Sequence, residues 1–563
     1  MIALFPAELG RLPQLPARDI LNGEYSRTDR SWRCPCWCFA VVPRQQRCNP
    51  GKRRYGLFTL AAQSASLNYD AIASPPSKPC INRDMAHYFK FKTADDLRAE
   101  AARLGHSLEL AESLEPLFQP TLVAGRQVGN RLCIQPMEGC DGTLDGAPDD
   151  LTFRRYLRFG SGGAKLIWGE ATAISDDGRM NPRQLWLHDR TASALEEMLA
   201  RCRRAHREAC GDDRDLLVGL QLTHSGRYSC RGPKLATRCP LLDPLTKNPS
   251  TGMPIDANYP ILTDAELDRL VDDYVAAARW AWRIGCDFVD IKQCHRYLLS
   301  ELLGAKNRPG RYGGSLENRT RLVRQVLSRI RQELPQLILA TRINCYDGIP
   351  FRGEGDEFRG VPVPHRTPID TAFGVDPNDY AQVDLEEPLQ VVQWLRDWGV
   401  RLINVSLGNP YANPHVVRPA EYPPIDGYDA PEHPLLGVLR HFSVTARIQQ
   451  AVPEIPVVGS GYSWLQEFFP AAAAANVAAG RCVFAGVGRG SLSQPDFARH
   501  LRETGQLHRK TICRTFSYCT NLMRTKTHPL GQYPTGCPPF DKEAYGPIWK
   551  EVEAQRTARR QEK

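Results

Sequence analysis

Lys292, His295 and Tyr297 stand in one short turn directly after the apolar run CDFVDI. An ammonium or an imidazole can hydrogen-bond a carbonyl or another oxyanion. That draws charge out of a conjugated C=C and invites hydride at the β-carbon. A phenol, kept protonated at neutral pH by its high pKa, can then deliver a proton to the α-carbon. The trio therefore suits reduction of a polarised double bond. The same residues could instead be polar groups at a strand end that cap the following helix. Their types and spacing leave both readings open.

The elements around them decide where such a turn would sit. Eight apolar strand patterns follow one another: LCIQPM, AKLIWGEA, LLVGLQLTH, CDFVDIK, LILATRI, LINVSLG, IPVVGSG and CVFAGVG. Between them run segments with apolar residues at helical spacing, such as LTDAELDRLVDDYVAAARWAWRIG and SLENRTRLVRQVLSRIRQEL. Eight strand-then-helix units in order predict an α/β fold, a closed (β/α)8 TIM barrel with right-handed crossovers. A doubly wound sheet is the rival, but it carries a Gly-rich fingerprint after its first strand. Here that turn reads QPMEGCDG, and no GxGxxG occurs. The barrel places Lys292, His295 and Tyr297 at a strand's C-terminal end, where this architecture assembles active sites. Two long Pro- and Gly-rich connections, 225–259 and 346–379, also follow strands and belong to that face.

Two further signals point to an anion. Arg342, in ATRIN, is a charge in an apolar run and needs an anionic partner, with a structural salt bridge as the plain reading. Strands seven and eight end in GSGYSW and GVGRGS, a pair of Gly-rich turns whose backbone N–H groups and helix starts suit a phosphate.

Several of these stretches together resemble the old yellow enzyme family of flavin-dependent ene-reductases. The family's strand-four turn reads H-x-x-(H/N)-G-Y-L-L, and His295 and Tyr297 match it, with Lys292 at the first His and Arg296 at the glycine. NRPGRYGGSLENRTR is very similar to the family's N-x-R-x-D-x-Y-G-G-S-x-E-N-R and reads as scaffold. The resemblance runs from about Tyr88 to Leu507 and implies an FMN-binding barrel. It implies that Pro136 and Met137 lie along the flavin ring, that Ala171 gives a backbone contact, and that Gln221 meets the pyrimidine edge. It further implies that Arg342 stands beside the reduced flavin's negative charge, and that Gly461, Gly488 and Arg489 hold the phosphate. Lys292 and His295 would bind the activating oxygen and Tyr297 would donate the proton, with NAD(P)H as reductant. Two departures concern substrate: a mobile Lys292 charge in place of an oriented ring, and a bulky Arg296 that narrows the site or adds charge. Both favour an acidic substrate. Glu138 stands where some relatives carry a redox-tuning Cys or Thr, and a carboxylate there would lower the flavin potential.

Composition narrows the classes. The chain has 563 residues, 42% hydrophobic and 24% charged, with a formal net charge of +9. That is an ordinary globular balance. No apolar run approaches the roughly 18 residues of a membrane span. The start lacks a signal peptide's charged-then-apolar order, so a cytoplasmic protein is expected. Residues 1–85 are basic, Pro- and Cys-containing and without period, and read as a disordered extension or as sequence upstream of a start at Met85. They lack the interleaved readout elements of a nucleic-acid binder. The eighteen cysteines are scattered and read as reduced thiols. Cys513, Cys519 and Cys537 lack a CxxC pair, so neither an iron–sulfur cluster nor another metal is expected. The expected organisation is an extension over 1–85, an FMN barrel over 86–507 and a tail over 508–563 packing on the barrel. The partner is a small molecule, with no nucleic acid or membrane; the sequence leaves the oligomeric state open. Two alternatives to an ene-reductase remain: an oxidative demethylase or amine dehydrogenase on the same barrel, and a barrel that has lost turnover and binds a ligand.

Overall fold

The computed structural model describes residues 87–561. The extension expected over 1–85 lies outside the described residues. The barrel strands are β1 (Leu132–Ile134), β2 (Leu166–Ala173), β3 (Leu217–Thr223), β4 (Phe288–Ile291), β5 (Ile338–Asn344), β6 (Leu402–Ser406), β7 (Val457–Gly459) and β8 (Phe484–Val487). Each pairs in parallel with the next, and β8 returns to β1 through Ala485 opposite Leu132 and Val487 opposite Ile134. The (β/α)8 barrel expected from the eight repeated patterns is the fold observed.

One main helix follows each strand: α1 (Asp150–Gly160), α2 (Ala192–Cys210), α3 (Asp264–Arg283), α4 (Arg321–Glu333), α5 (Glu386–Asp397), α6 (Pro434–Ala451), α7 (Phe469–Ala478) and α8 (Phe497–Thr504). Local chemistry sets their ends. Thr263 opens α3 with a capping box, its side chain accepting from the Glu266 N–H while Glu266 reaches back to the Thr263 N–H. Gly211 closes α2 in the left-handed conformation at φ 83°, which a Cβ would penalise.

Strand alternation sorts the core into two layers. Cys133, Leu166, Trp168, Leu217, Phe288, Ile338, Ala340, Leu402, Val458 and Phe484 fill the inside of the barrel. A hairpin of Thr121–Val123 and Arg126–Val128 adds Val123 and Val128 to that cluster. Residues of opposite parity, such as Val289, Ile291 and Leu339, pack outward in the larger cluster shared with the helices. On β4 the inward series Phe288, Asp290 continues to Lys292 just past the strand end. On β5 the series Ile338, Ala340 continues to Arg342. This period of two carries both side chains from the packed interior into the mouth of the barrel.

After α8 the chain continues through helices α9 (Tyr518–Arg524) and α10 (Lys542–Gln561). Asp541 accepts from Arg154 of α1 at 2.6 Å and pairs with Arg158 as well, which ties the tail to the barrel wall. Among the described residues no helix is long and apolar enough to cross a membrane.

Candidate active site

A cleft of about 1170 Å³ opens at the C-terminal ends of the strands. The residues expected to catalyse and to bind the flavin all line it. Lys292, His295 and Tyr297 line it together with Pro136, Met137, Ala171, Gln221 and Arg342, and with Gly461, Gly488 and Arg489 at the ends of β7 and β8.

The turn after β4 is built by two consecutive left-handed residues, His295 at φ 67° and Arg296 at φ 60°. Each costs about 1–2 kcal/mol relative to right-handed backbone, so the surroundings must hold them. The Arg296 N–H donates to Ser300 Oγ at 3.1 Å, and its guanidinium pairs with Asp347 at 2.8 Å. His295 Nε2 meets Ser406 Oγ of β6 at 3.0 Å. Tyr297 occupies the N-cap position of the short helix Leu298–Leu303 but makes no side-chain cap bond. The helix-capping reading of the trio therefore finds no support.

Arg296 departs from the expectation that it narrows the site or charges it. Its left-handed backbone turns the side chain away from the cleft and into a buried ion pair, 4% exposed against 2% for Asp347. Asp347 in turn accepts from Asn344 Nδ2 and the Phe373 N–H, each at 2.9 Å.

Lys292 is 4% exposed, and its Nζ stands 3.6 Å from the centroid of the Tyr297 ring. Burial pulls its pKa down, with Cys294 and Glu138 opposing. Glu138, the residue after Met137, is held by Asn181 Nδ2 at 2.7 Å. Burial pushes its carboxyl up to about 7, and the Lys292 charge opposes the rise. For both partners loss of water outweighs their mutual attraction. His295 is held well below the usual imidazole range by burial and by Arg342 and Lys292, so the ring is neutral. Tyr297 is pushed well above the usual phenol range by burial first, then by Tyr411 and Glu138.

Inside the barrel, Gln221 Nε2 donates to Asp290 Oδ2 at 2.6 Å. The Ala171 carbonyl accepts from Gln184 Nε2 at 3.0 Å. Arg342 makes no salt bridge among the described residues, and its Nε is buried without a hydrogen-bond partner. The ion pair that the plain reading of this residue required is not formed among the described residues.

Four features of the site lay outside the sequence reading. Tyr411 follows β6, Arg418 lies further along the same loop, and Cys519 and Arg524 come from α9 of the tail. Arg418 and Arg489 are neighbours: burial, then Arg489, lowers the Arg418 pKa to about 9. Arg418 Nε and Nη2 and Arg489 Nη1 are buried donors with no partner among the described residues. Cys513, Cys519 and Cys537 line an adjoining cavity of about 730 Å³ that shares Arg489 and Cys519 with the cleft. Among the described residues no group of three or more His, Cys, Asp or Glu could hold a metal ion.

These orphaned donors test the fit of a flavin mononucleotide. Unpaired guanidinium groups beside the β7 and β8 turns suit a phosphate dianion. Gly461 adopts φ 95°, which favours glycine, and a Cβ on Gly488 would crowd Met137 Sδ at 3.2 Å. Arg342 and Gln221 supply the polar groups, and Pro136 and Met137 the apolar ones, that a planar heteroaromatic ring needs. The residues present fit FMN.

Comparison with known proteins agrees. Residues 116–364 match the model of the NADH:flavin oxidoreductase / NADH oxidase family. The NADH:flavin oxidoreductase FG08077 of Gibberella zeae is 27% identical over 312 residues, covering 52% of this chain and 67% of its own. The NADPH dehydrogenase of Halalkalibacterium halodurans is 26% identical over 335 residues, covering 58% of this chain and 80% of its own. Among solved structures, 2-naphthoyl-CoA reductase in complex with 2-naphthoyl-CoA superposes with a TM-score of 0.52 at 17% identity. That match covers 72% of this chain and 54% of the reductase, about half its length, and at this identity it speaks to the fold alone. The stretch 116–364 is thus similar to the NADH:flavin oxidoreductase / NADH oxidase family, and the (β/α)8 barrel is that of an FMN-dependent NAD(P)H oxidoreductase.

Proposed function

We propose that this barrel reduces an activated C=C, with Tyr297 as the proton donor. The observation that carries the reading is the convergence of Lys292, His295 and Tyr297 on the cleft that Pro136, Met137, Gln221, Arg342 and Arg489 also line. FMN bound there would supply the hydride chemistry that links NAD(P)H to the substrate's β-carbon. Pro136 and Met137 give the ring an apolar seat, and Arg342 offers an unpaired charge for the electron density that reduction adds. Arg489 and Arg418, with the Gly461 and Gly488 turns, would hold the phosphate.

The substrate's activating oxygen is held by Lys292 and His295. A Ser406 hydroxyl donating to His295 Nε2 leaves the ring proton on Nδ1, so a neutral imidazole can still donate. The Lys292 ammonium adds charge from above the Tyr297 ring. With Arg296 engaged by Asp347, Lys292 carries the preference for an acid-bearing substrate. Tyr297 gives its Oη proton to the α-carbon. Free thiols throughout the described residues support a reducing, cytoplasmic setting.

Anaerobic mixing tests the reading. NADPH should bleach the flavin, an activated alkene should restore its colour, and Tyr297→Phe should slow the second step by about 10²–10⁴-fold while sparing the first. Restoration by the alkene at an unchanged rate in Tyr297→Phe would remove Tyr297 from the role.

A further inference from the structure

Three tyrosines meet where the loop after β6 faces the tail helix α9. Tyr297 Oη and Tyr411 Oη are 3.0 Å apart. The Tyr411 ring lies 4.4 Å from Tyr228, which in turn lies 5.7 Å from Tyr297. Asn409 fixes the group: its Nδ2 donates to Tyr228 Oη at 2.7 Å, and its Oδ1 accepts the Tyr411 N–H at 2.8 Å. The hydroxyls therefore have set positions.

Two cations flank the bonded pair. Lys292 Nζ is 3.6 Å from the Tyr297 centroid, and Arg524 Cζ is 4.4 Å from the Tyr411 centroid. Arg524 is locked in place, donating from Nη1 to Asp426 at 3.1 Å and from Nη2 to the Pro410 carbonyl at 2.6 Å. A lone proton donor needs none of this second half. Acting alone, Tyr297 would be left as a buried phenolate with Lys292 over its ring but with burial and Glu138 opposing its charge. Burial and Glu138 also oppose charge on Tyr411, but there Arg524 counters them directly.

We propose that Tyr411 relays a proton to Tyr297 and that Arg524 of the tail helix stabilises the negative charge this relay leaves. The proposal rests on Tyr297 being the donor. As the alkene π pair forms the new α-carbon C–H bond, the Tyr297 O–H breaks. Tyr297 Oη takes the proton of Tyr411 Oη, whose own O–H breaks in turn. The Tyr411 phenolate then stands beside the Arg524 guanidinium until water in the cleft returns a proton. No further reactant is required. Tyr411 acts through Tyr297 and is a positioning residue. The tail thereby joins the chemistry of the barrel.

The test uses the FMN-loaded full chain, reduced anaerobically with NADPH and mixed with 2-cyclohexen-1-one in stopped flow. Tyr411→Phe removes one hydroxyl. It should slow reoxidation about tenfold to a hundredfold, leave reduction by NADPH within about twofold, and make reoxidation accelerate with the concentration of buffer acid. Arg524→Gln should slow the same step, and Arg524→Lys should recover part of it. In holoenzyme isotope-labelled at tyrosine Cζ, the Tyr297 resonance should move in Tyr411→Phe, a readout independent of turnover. Reoxidation of Tyr411→Phe at the wild-type rate overturns the relay. If Tyr297→Phe is slow while Tyr411→Phe is not, only the relay fails; if Tyr297→Phe is also unaffected, the donor assignment fails with it.

Discussion

Gln221 and Asp290 are joined side chain to side chain at 2.6 Å inside the barrel, at the floor of the cleft. The same carboxylate accepts Trp168 Nε1 at 2.8 Å and, through its other oxygen, the Arg342 backbone N–H at 2.7 Å. Asp290 is 0% exposed, so it can remain there only because these donors replace water. One buried carboxylate thus sets both which way the Gln221 amide points and where the Arg342 strand sits.

Asp290→Ala should therefore act on stability and on flavin binding together. It leaves three donors unsatisfied in the barrel interior, at a cost of about 3 kcal/mol or more. Denaturant unfolding of the flavin-free chain measures that loss. FMN affinity should fall as well, because the Gln221 amide loses the partner that orients it. Asp290→Asn keeps one acceptor oxygen and should lose less of both. Unchanged FMN binding in Asp290→Ala would show that Gln221 orientation does not matter to the cofactor.

Phosphate recognition is separable from ring recognition. Arg489 Nη2 donates to the Pro419 carbonyl at 2.5 Å, and Arg418 Nη1 to Ser517 Oγ at 3.2 Å, which leaves Arg489 Nη1 and Arg418 Nε and Nη2 for an anion. Arg489→Leu should weaken FMN by about tenfold to a hundredfold, the worth of a charge-assisted contact, and leave riboflavin unaffected. Burial beside Arg489 brings the Arg418 pKa to about 9, so FMN affinity should decline as pH rises through that value. Riboflavin affinity should stay flat over the same range. Equal losses for both ligands in Arg489→Leu would place the arginine elsewhere than at the phosphate.

The residues that could be read in advance share one property: each sits at or just beyond the end of a barrel strand. Period-two alternation sends Asp290 and Lys292, or Ala340 and Arg342, to one face, and parallel closure gathers eight such ends into one cleft. Arg296 shows the limit of this logic. Adjacent in sequence to His295, it leaves the cleft because its φ of 60° and the Asp347 carboxylate redirect it. Tyr411, Arg418 and Arg524 were illegible for a different cause. They reach the site from the loop after β6 and from the tail, segments with no repeating pattern, and their positions are set by contacts such as that of Arg524 with Asp426, nearly a hundred residues away.

Glu138 offers the sharpest dependence on pH. From sequence it is a fixed negative charge that lowers the flavin potential. In the structure burial raises its carboxyl from 4.5 to about 7, so it is neutral below that value and charged above it. Between those limits the folded chain holds a proton that the unfolded chain has released. The stability this confers is complete below 4.5 and is lost as pH rises through about 7, a decline of about 3 kcal/mol. Glu138→Gln should remove that slope, as unfolding of the flavin-free chain at several pH values would reveal. The potential of the loaded protein supplies an independent check. Below pH 7 wild type and Glu138→Gln should agree; above it the wild type should lie lower, by tens of millivolts on the order expected for one nearby charge. A constant offset at every pH would mean that Glu138 is ionised throughout, and that Lys292 stabilises its charge more strongly than burial opposes it.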